Sequence, residues 1–226
     1  MNKVAIIQAR MDSSRFPGKA TKIIEGKSVL SHVIERSKLI GIPVIVATSS
    51  RKIDDPLEEI SKQCGVECFR GSFEDVLDRF YQVAKKNSID IIFRITADSP
   101  LLDPKLCKKL VDVFDDSTID YARFVNYPIG VGMEGCTFTA LENAWKNSIL
   151  PEEREHVTLY FKIKSNNFKI IELNSSINLS DHYWTIEEPK DFLFFSQLFS
   201  YFKNQKMFYT EDILDLFEKN SNFKKI

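Results

Sequence analysis

The chain of 226 residues has no excess of charge of either sign. Lysine and arginine number 31 and aspartate and glutamate 32, which gives a formal net charge of −1 at pH 7. A dedicated nucleic-acid binder usually carries a basic excess, so this balance argues against that class and leaves room only for local basic patches. It also argues against disorder, which requires low hydrophobicity with high net charge, because 43% of the residues are hydrophobic.

Segments that export or anchor a chain are not evident either. The apolar stretch at residues 4–7 meets Gln8 and Arg10, whereas the core of a signal peptide needs about 7–15 apolar residues. The longest uncharged apolar stretch, residues 39–50, contains Pro43 and is shorter than the roughly 20 residues of a membrane span. We therefore expect a cytoplasmic protein that contacts no membrane.

Cysteine is scarce and its spacing fits no common site. Cys64 and Cys68 do not form a CxxC pair, and Cys107 and Cys136 do not supply a second one. Without a secretory signal, an even number of cysteines is a poor sign of disulfides. We expect four reduced thiols.

The first half of the chain alternates short apolar runs with amphipathic stretches. Continuous apolar strands separated by helices indicate βαβ units and a mostly parallel sheet covered by helices on both faces. No linker separates the two halves, so we expect one α/β domain over residues 1–226. The spacing predicts strands at 4–7, 44–47, 66–69 and 91–95, and helices at 29–39, 55–64, 73–86 and 104–114, the last capped by Asp103.

The pattern changes after about residue 118, where the second half elaborates the sheet. A loop rich in glycine follows a further strand. The predicted elements are strands at 119–124, 169–173 and 182–185, a loop containing Pro128, Gly130, Gly132 and Gly135, and helices at 138–145, 153–162, 189–202 and 211–218.

Ligands of open parallel sheets bind at the carboxyl ends of the strands, and three polar segments fall there. The first, residues 8–19, contains Arg10, Arg15 and Lys19, whose side chains match phosphate oxygens. The alternative is a solvated basic loop. No GxxxxGK[ST] or GxGxxG pattern is present, so a P-loop is excluded and a dinucleotide fold is disfavoured.

The other two segments supply carboxylates. Asp98 follows the strand at 91–95 and is placed to bind Mg²⁺, although a turn role explains it equally well. Glu187 and Glu188 lie at another strand-to-helix junction, where an acidic helix start is the alternative.

Five segments of unusual polar content follow one another in chain order. They are QARMDSSRFPGK at 8–19, RGSFEDVLDR at 70–79, RITADSPLLDP at 94–104, REHV at 154–157 and WTIEEPKD at 184–191. These motifs resemble those of the sugar cytidylyltransferases, and more closely the spore-coat-polysaccharide and flagellin-glycan branch of the acylneuraminate cytidylyltransferase family. The likeness covers almost all of residues 1–192, and the opening segment is the most specific match.

The resemblance implies a GT-A-like (Rossmann-like) three-layer α/β/α nucleotidyltransferase, with CTP as substrate, Mg²⁺ as cofactor, a sugar acid as acceptor and a homodimer as assembly. It implies a nucleotide-binding half at 1–118 and an acceptor and dimerisation half at 119–226. By the same resemblance, the catalytic residues are Arg15, Lys19 and Asp98, and the metal ligands are Asp98 and Glu187. The acceptor-binding residues are Glu134 and His156. The nucleotide-binding residues are Gln8, Ala9, Arg10, Ser14, Arg15, Lys19, Arg79 and Arg94.

The chain also departs from the family pattern. Glu187 stands where the family has aspartate, and Tyr183 where an arginine usually precedes the tryptophan. Ile129 and Gly132 replace acidic residues on the expected acceptor side. These departures point to a different acceptor or to weakened activity.

The mechanism implied is attack of a sugar oxygen on the α-phosphorus of CTP with release of pyrophosphate, in which His156 is a candidate general base. The rivals are a transferase of the same fold that uses another nucleotide, a GT-A glycosyltransferase and a binding protein without turnover. The glycosyltransferases usually carry a DxD metal motif, whereas this chain has Ala97-Asp98-Ser99.

Overall fold

A computed structural model describes residues 1–220 and residue 223 of the chain. The strands are β1 Lys3–Gln8, β2 Ile23–Ile24, β3 Lys27–Ser28, β4 Val44–Ser49, β5 Glu67–Gly71, β6 Ile91–Thr96, β7 Tyr121–Val125, β8 Glu134–Thr137 and β9 Ile170–Asn174. Seven of them form a central sheet with the order β5-β4-β1-β6-β8-β7-β9, which combines both halves of the sequence, and β2 and β3 form a separate hairpin. Strands β1, β4, β5 and β6 are parallel, and β8 runs antiparallel to both β6 and β7.

Helices cover both faces of this sheet, which confirms the expected three-layer α/β/α fold. The helices are α1 Val29–Lys38, α2 Asp55–Gln63, α3 Val76–Lys86, α4 Pro104–Val113, α5 Phe138–Asn147, α6 Pro151–Glu155, α7 Leu159–Ile163, α8 Pro189–Tyr201 and α9 Thr210–Lys219. Helices α1, α2 and α4 pack on one face and α3, α5 and α7 on the other, each group through its own apolar cluster. A third cluster joins α8 and α9 to Trp184 and Ile186.

The sequence explains why the central strands are continuous apolar runs. Strand β4 is buried at every position and β1 at its four central ones, because helices cover both sides of the sheet. Side-chain caps set the helix starts: Asp75 accepts from the Asp78 amide at 2.7 Å, so α3 begins at Val76, three residues later than its periodicity predicts. The predicted cap of α4 is confirmed, since Asp103 accepts from the Lys105 amide at 2.9 Å.

Three predictions for the second half are wrong. The predicted strand at 182–185 forms only one bridge, between Ile129 and Tyr183. The single helix at 153–162 is two short helices, because the chain turns at Val157, whose φ is +37°. The residues around Gly135 were predicted as loop because of their glycine content, but they form strand β8. Gly135 lies so close to the rings of Phe93 and Phe114 that a Cβ there would be 2.6 Å from Phe114.

No helix within the described residues is both long enough and apolar enough to cross a bilayer.

Gly130 lets the glycine-rich loop approach the segment that carries Trp184. Its φ is +100°, and a Cβ would lie 2.8 Å from the carbonyl carbon of Trp184 and closer still to its oxygen. We expect Gly130→Ala to lower the free energy of unfolding by about 3 kcal/mol, because left-handed strain adds to a clash with backbone that cannot rotate away. Urea denaturation of the wild type and of the variant measures this loss of stability.

Gly26 provides the matched control for this prediction. Its φ is +78°, but a Cβ at this position would have no atom within 4 Å. Gly26→Ala therefore carries only the backbone strain, about 1 kcal/mol. Equal losses in the two variants would show that the close approach to Trp184 contributes nothing to stability.

Candidate functional site

A cavity of about 320 Å³ opens at the carboxyl ends of β1 and β6. The strand order reverses between these two strands, since the chain continues from β1 to β4 on one side and the strands beyond β6 lie on the other. This topological switch point is where open α/β sheets bind ligands. Its lining includes eleven of the twelve residues predicted for the site: Gln8, Ala9, Arg10, Ser14, Arg15, Lys19, Arg79, Arg94, Asp98, His156 and Glu187.

The loop after β1 forms one wall of the cavity. It is closed by a hydrogen bond from the Gly18 amide to the Met11 carbonyl at 2.7 Å, which needs the left-handed Gly18 with φ +71°. Below it, the buried carboxylate of Asp54 accepts from the Met11 amide at 2.8 Å and from the hydroxyl of Ser49. The loop is thereby fixed to the end of β4.

Two basic side chains of this loop reach across the cavity to two carboxylates. Lys19 Nζ lies 2.6 Å from Asp98 Oδ2, and Arg15 Nη1 lies 2.5 Å from Glu187 Oε2. The Lys19 side chain is 14% exposed and that of Arg15 is 60% exposed, so the first pair is the more protected from solvent. The predicted phosphate-binding and metal-binding residues therefore meet in one place.

Backbone contacts hold the segments that carry Asp98 and Glu187 against each other. The Ile186 amide donates to the Asp98 carbonyl at 2.9 Å, and Lys19 Nζ donates to the Ile186 carbonyl at 2.6 Å. Asp191, near the start of α8, accepts from the Glu187 amide at 2.9 Å and fixes that turn. Two oxygen donors on one cavity wall suit a hard divalent cation, which in phosphate sites takes one or two carboxylates.

Arg94 forms the floor between β1 and β6. Its Nε donates to Gln8 Oε1 at 2.8 Å and its Nη1 to Glu134 Oε2 at 3.0 Å. Glu134 also accepts from Lys162 Nζ and the Tyr121 hydroxyl, both at 2.6 Å. Burial alone would raise the pKa of Glu134, but the charges of Arg94 and Lys162 and the hydrogen bonds to it lower that pKa to about 2. The carboxylate stays ionised and keeps Arg94 in place.

Glu155 and His156, in the segment at 154–156, form another part of the cavity wall. Arg154 is tied to the carbonyls of Ser148 and Trp145 at 3.1 and 2.8 Å. Next to it, Glu155 pairs with Arg10 at 2.9 Å, and His156 lines the cavity. The hydrogen bonds of Arg154 fix the backbone of this segment, so Glu155 and His156, the middle residues of the REHV motif, are held at the cavity.

Arg79 enters from α3 and is only 1% exposed. In the described part of the chain, its Nε and Nη1 have no hydrogen-bond partner. Burial lowers the pKa of Arg79, and the nearby charge of Asp54 opposes that shift. Gly71 leaves room for its stem, since a Cβ there would lie 3.0 Å from Arg79 Cγ.

Some predicted positions lie elsewhere. Glu134 does not line the cavity and contacts it through Arg94. Gly132 is outside it too, and a Cβ there would lie 2.5 Å from the Phe124 ring, so this packing leaves no room for the family's acidic side chain. Ile129 lines the cavity and Tyr183, 55% exposed, does not.

Sequence reasoning missed several lining residues. Glu155, next to His156, and Thr96, two residues before Asp98, lay inside motifs already singled out. Asp54 does not line the cavity but holds the loop after β1, and no signal in the sequence linked it to that loop. The remaining lining residues are Ser13, Ala20, Val76, Ala97 and Thr185.

The cavity at the switch point is lined by five cationic and three carboxylate side chains, and this excess of positive charge suits an anionic ligand. A family model described as Cytidylyltransferase matches residues 4–224, so the chain belongs to the cytidylyltransferase family. The predicted resemblance to the sugar cytidylyltransferases is confirmed, whereas assignment to the acylneuraminate branch stays a prediction.

Three relatives illustrate this membership. The structure of a cytidylyltransferase from Leptospira borgpetersenii aligns with TM-score 0.93 at 32% identity, covering 100% of this chain and 98% of that one. The spore coat polysaccharide biosynthesis protein SpsF of Bacillus subtilis is 30% identical over 196 residues, which is 83% of this chain and 82% of SpsF. The 3-deoxy-manno-octulosonate cytidylyltransferase of Pelobacter propionicus is 35% identical over 125 residues, 54% of this chain and 48% of that protein.

Proposed function

We propose that the protein transfers CMP from CTP to a sugar acid, with release of pyrophosphate, for the synthesis of a surface glycan. The observation that carries this proposal is the pair of contacts Lys19–Asp98 and Arg15–Glu187 across the switch-point cavity. Family membership supports the nucleotide, and the octulosonate and spore-coat relatives support the acceptor class.

In this proposal the loop cations bind the triphosphate. Arg15 and Lys19 exchange their carboxylate partners for phosphate oxygens and stabilise the charge that builds on the leaving pyrophosphate. Their release leaves Asp98 and Glu187 free as ligands. These two side chains would hold Mg²⁺, which supplies charge neutralisation and orientation of the triphosphate.

The remaining wall is proposed to receive the acceptor. A sugar oxygen attacks the α-phosphorus in line, and its proton is taken by a group on that wall. His156 lines the cavity and is our candidate for this role, because imidazole exchanges protons near neutral pH. The fixed segment at 154–156 would hold its backbone in place.

Thermal unfolding with CTP, UTP, GTP or ATP, each with and without Mg²⁺, tests the nucleotide. A ligand at 100 times its Kd stabilises a protein by about 2.7 kcal/mol, so we expect a clear rise of Tm for CTP with Mg²⁺. A selective rise with another nucleotide would assign a different transferase class. No rise with any of the four would contradict the proposal and favour a site that has lost its substrate.

The acceptor is tested by incubating the protein with CTP, Mg²⁺ and one sugar acid at a time. The panel holds 3-deoxy-manno-octulosonate, its 8-amino-8-deoxy analogue and N-acetylneuraminate. We expect pyrophosphate release and a CMP-sugar with at least one of them. Neutral hexoses serve as the negative control, and turnover of those alone would remove the sugar-acid assignment.

A further inference from the structure

A second cavity, of about 260 Å³, is lined by the hairpin of β2 and β3, by helix α1 and by the chain around the end of α8. It shares no lining residue with the switch-point cavity. Three buried phenylalanines line it. The rings of Phe202 and Phe208 stack with their centroids 4.4 Å apart, and Phe199 meets Phe208 edge-on at 5.2 Å. The chemistry proposed for the first cavity uses none of these residues.

Arg36 is a buried cation in the wall of the second cavity and is 4% exposed. Its Nη1 donates to the carbonyls of Leu102 and Phe208 at 3.2 and 3.0 Å, and its guanidinium carbon lies 4.6 Å from the centroid of the Phe208 ring. The nearby Asp103 caps α4 with one carboxylate oxygen and accepts from Thr210 with the other. Among the described residues, Arg36 therefore has no carboxylate in contact and donates its hydrogen bonds from one nitrogen.

Lysines at the mouth of the second cavity add to this positive charge. Lys203 and Lys206 follow α8, are exposed, and pair with no carboxylate in the described part of the chain. Lys27 is paired with Glu35 at 2.7 Å, and Glu25 also lines the cavity. With Arg36, four cationic side chains face two carboxylates, so the lining carries a net charge of about +2.

His32 contributes a neutral ring to the same wall. It is 9% exposed, its Nε2 donates to the carbonyl of Ile24 at 2.8 Å, and its ring centroid lies 4.4 Å from that of Phe199. Burial lowers the pKa of His32, so the imidazole is uncharged at pH 7. The wall at this point is therefore ring surface and not an additional charge.

The make-up of the second cavity indicates the chemistry of its ligand. A phosphate monoester carries about −1.5 to −2 charges at pH 7, which matches the net charge of the lining. Guanidinium and ammonium groups suit phosphate oxygens, whereas the phenylalanine rings suit an apolar or planar body that free phosphate lacks. Sites for drug-sized ligands measure about 300–1,000 Å³, so a cavity of about 260 Å³ fits a smaller molecule.

We propose that the second cavity binds a small organic phosphate. Arg36, Lys203 and Lys206 contact the phosphate group, and the three phenylalanines contact the apolar body. The site is separate from the one proposed for CMP transfer and does not depend on that reaction.

Phenyl phosphate, followed through the histidine ring resonances of the full chain, tests this proposal. The chain has three histidines, of which His32 lines the second cavity, His156 the first, and His182 neither. The variants His156→Gln and His182→Gln assign the three signals. We expect phenyl phosphate to shift the His32 signal saturably and to leave that of His182 in place. A shift of His156 without one of His32 would place the ligand in the first cavity and overturn the proposal.

Benzyl alcohol and inorganic phosphate separate the two parts of the ligand. We expect each to bind at least about tenfold more weakly than phenyl phosphate at His32, because one lacks the charge and the other the ring. Equal affinity for benzyl alcohol would mean an apolar pocket without anion recognition. Equal affinity for inorganic phosphate would mean an adventitious ion only, and either result contradicts the proposal.

The double variant Lys203→Gln/Lys206→Gln tests the charge at the mouth of the cavity. We expect phenyl phosphate to bind about fivefold more weakly, as for the loss of two solvent-exposed ionic contacts. The matched control is Lys108→Gln/Lys109→Gln, since these exposed lysines on α4 line neither cavity. It should leave the affinity unchanged. Equal losses in the two double variants would show a general effect of surface charge and no site.

Arg36→Lys tests the buried cation, because lysine keeps the charge and removes the planar fork. We expect about tenfold weaker binding of phenyl phosphate, and unchanged affinity in the folded variant would overturn the assignment of Arg36. Far-UV circular dichroism checks folding, and the lysine variants decide the question if Arg36→Lys does not fold. Failure of CTP to bind at the first cavity would leave these results unaffected, and failure of phenyl phosphate to bind would leave CMP transfer unaffected.

Discussion

Asp98→Asn should lower the rate of CMP transfer by about a thousandfold while the protein stays folded. The change removes the carboxylate proposed to bind Mg²⁺, and metal contributes several kcal/mol to the stabilisation of developing charge, with tenfold in rate for each 1.36 kcal/mol. Lys19 keeps its bond to the Ile186 carbonyl in the variant, so the loop has a remaining contact. Pyrophosphate release under saturating CTP measures the effect.

Asp112→Asn is the matched control, because Asp112 is an exposed residue on α4. It should leave the rate unchanged. Glu187→Asp adds a second comparison, since it restores the family's residue and should keep or raise activity if residue 187 is a metal ligand. Turnover of Asp98→Asn within tenfold of wild type would remove Asp98 from the proposed chemistry.

Glu134→Gln should lower the free energy of unfolding at pH 7 by about 3 kcal/mol. The folded state lowers the pKa of Glu134 from 4.5 to about 2, and that difference is worth 1.36 kcal/mol per unit. Because the folded pKa is the lower one, the stabilisation is complete above pH 4.5 and is lost as the pH falls towards 2. Urea denaturation at pH 7, 4 and 3 should show the gap between wild type and variant closing.

Glu172→Gln provides the comparison for Glu134. Glu172 pairs with Arg123 at 2.5 Å, but the two side chains are 41% and 34% exposed, and an exposed pair contributes at most about 1 kcal/mol. We expect a small effect that salt reduces further. If both variants lower the free energy of unfolding equally, or if the difference between wild type and Glu134→Gln is independent of pH, then Glu134 does not act as the ionised partner of Arg94.

Much of the fold was predictable because its evidence is local. The apolar runs of β1, β4 and β6 and the intervening amphipathic helices identify a covered parallel sheet, and Asp103 before Pro104 marks the start of α4. The elements of the second half were harder to predict from sequence. Strand β8 is short and contains Gly135, which fits between the rings of Phe93 and Phe114. Phe93 and Phe114 are distant from Gly135 in the sequence, so a local pattern does not indicate this contact.

The candidate site shows the same division. The motifs at 8–19, 94–104 and 184–191 predicted Lys19, Asp98 and Glu187 as site residues through their family resemblance, and all three line the cavity. They did not identify Asp54, because its contacts with Met11 and Ser49 depend on how a helix start packs under a loop 43 residues earlier.

The sequence by itself determined the type of sheet and the charged residues that follow its strands, since periodicity and strand-end residues are properties of neighbouring positions. Only the tertiary structure decided which of them meet. Lys19 and Asp98 are 79 residues apart, and Arg15 and Glu187 lie still further apart, so their contacts arise from the strand order that brings β1 beside β6. The state of Arg79 was decided in the same way, because burial and the absence of a partner in the described chain depend on everything packed around a side chain.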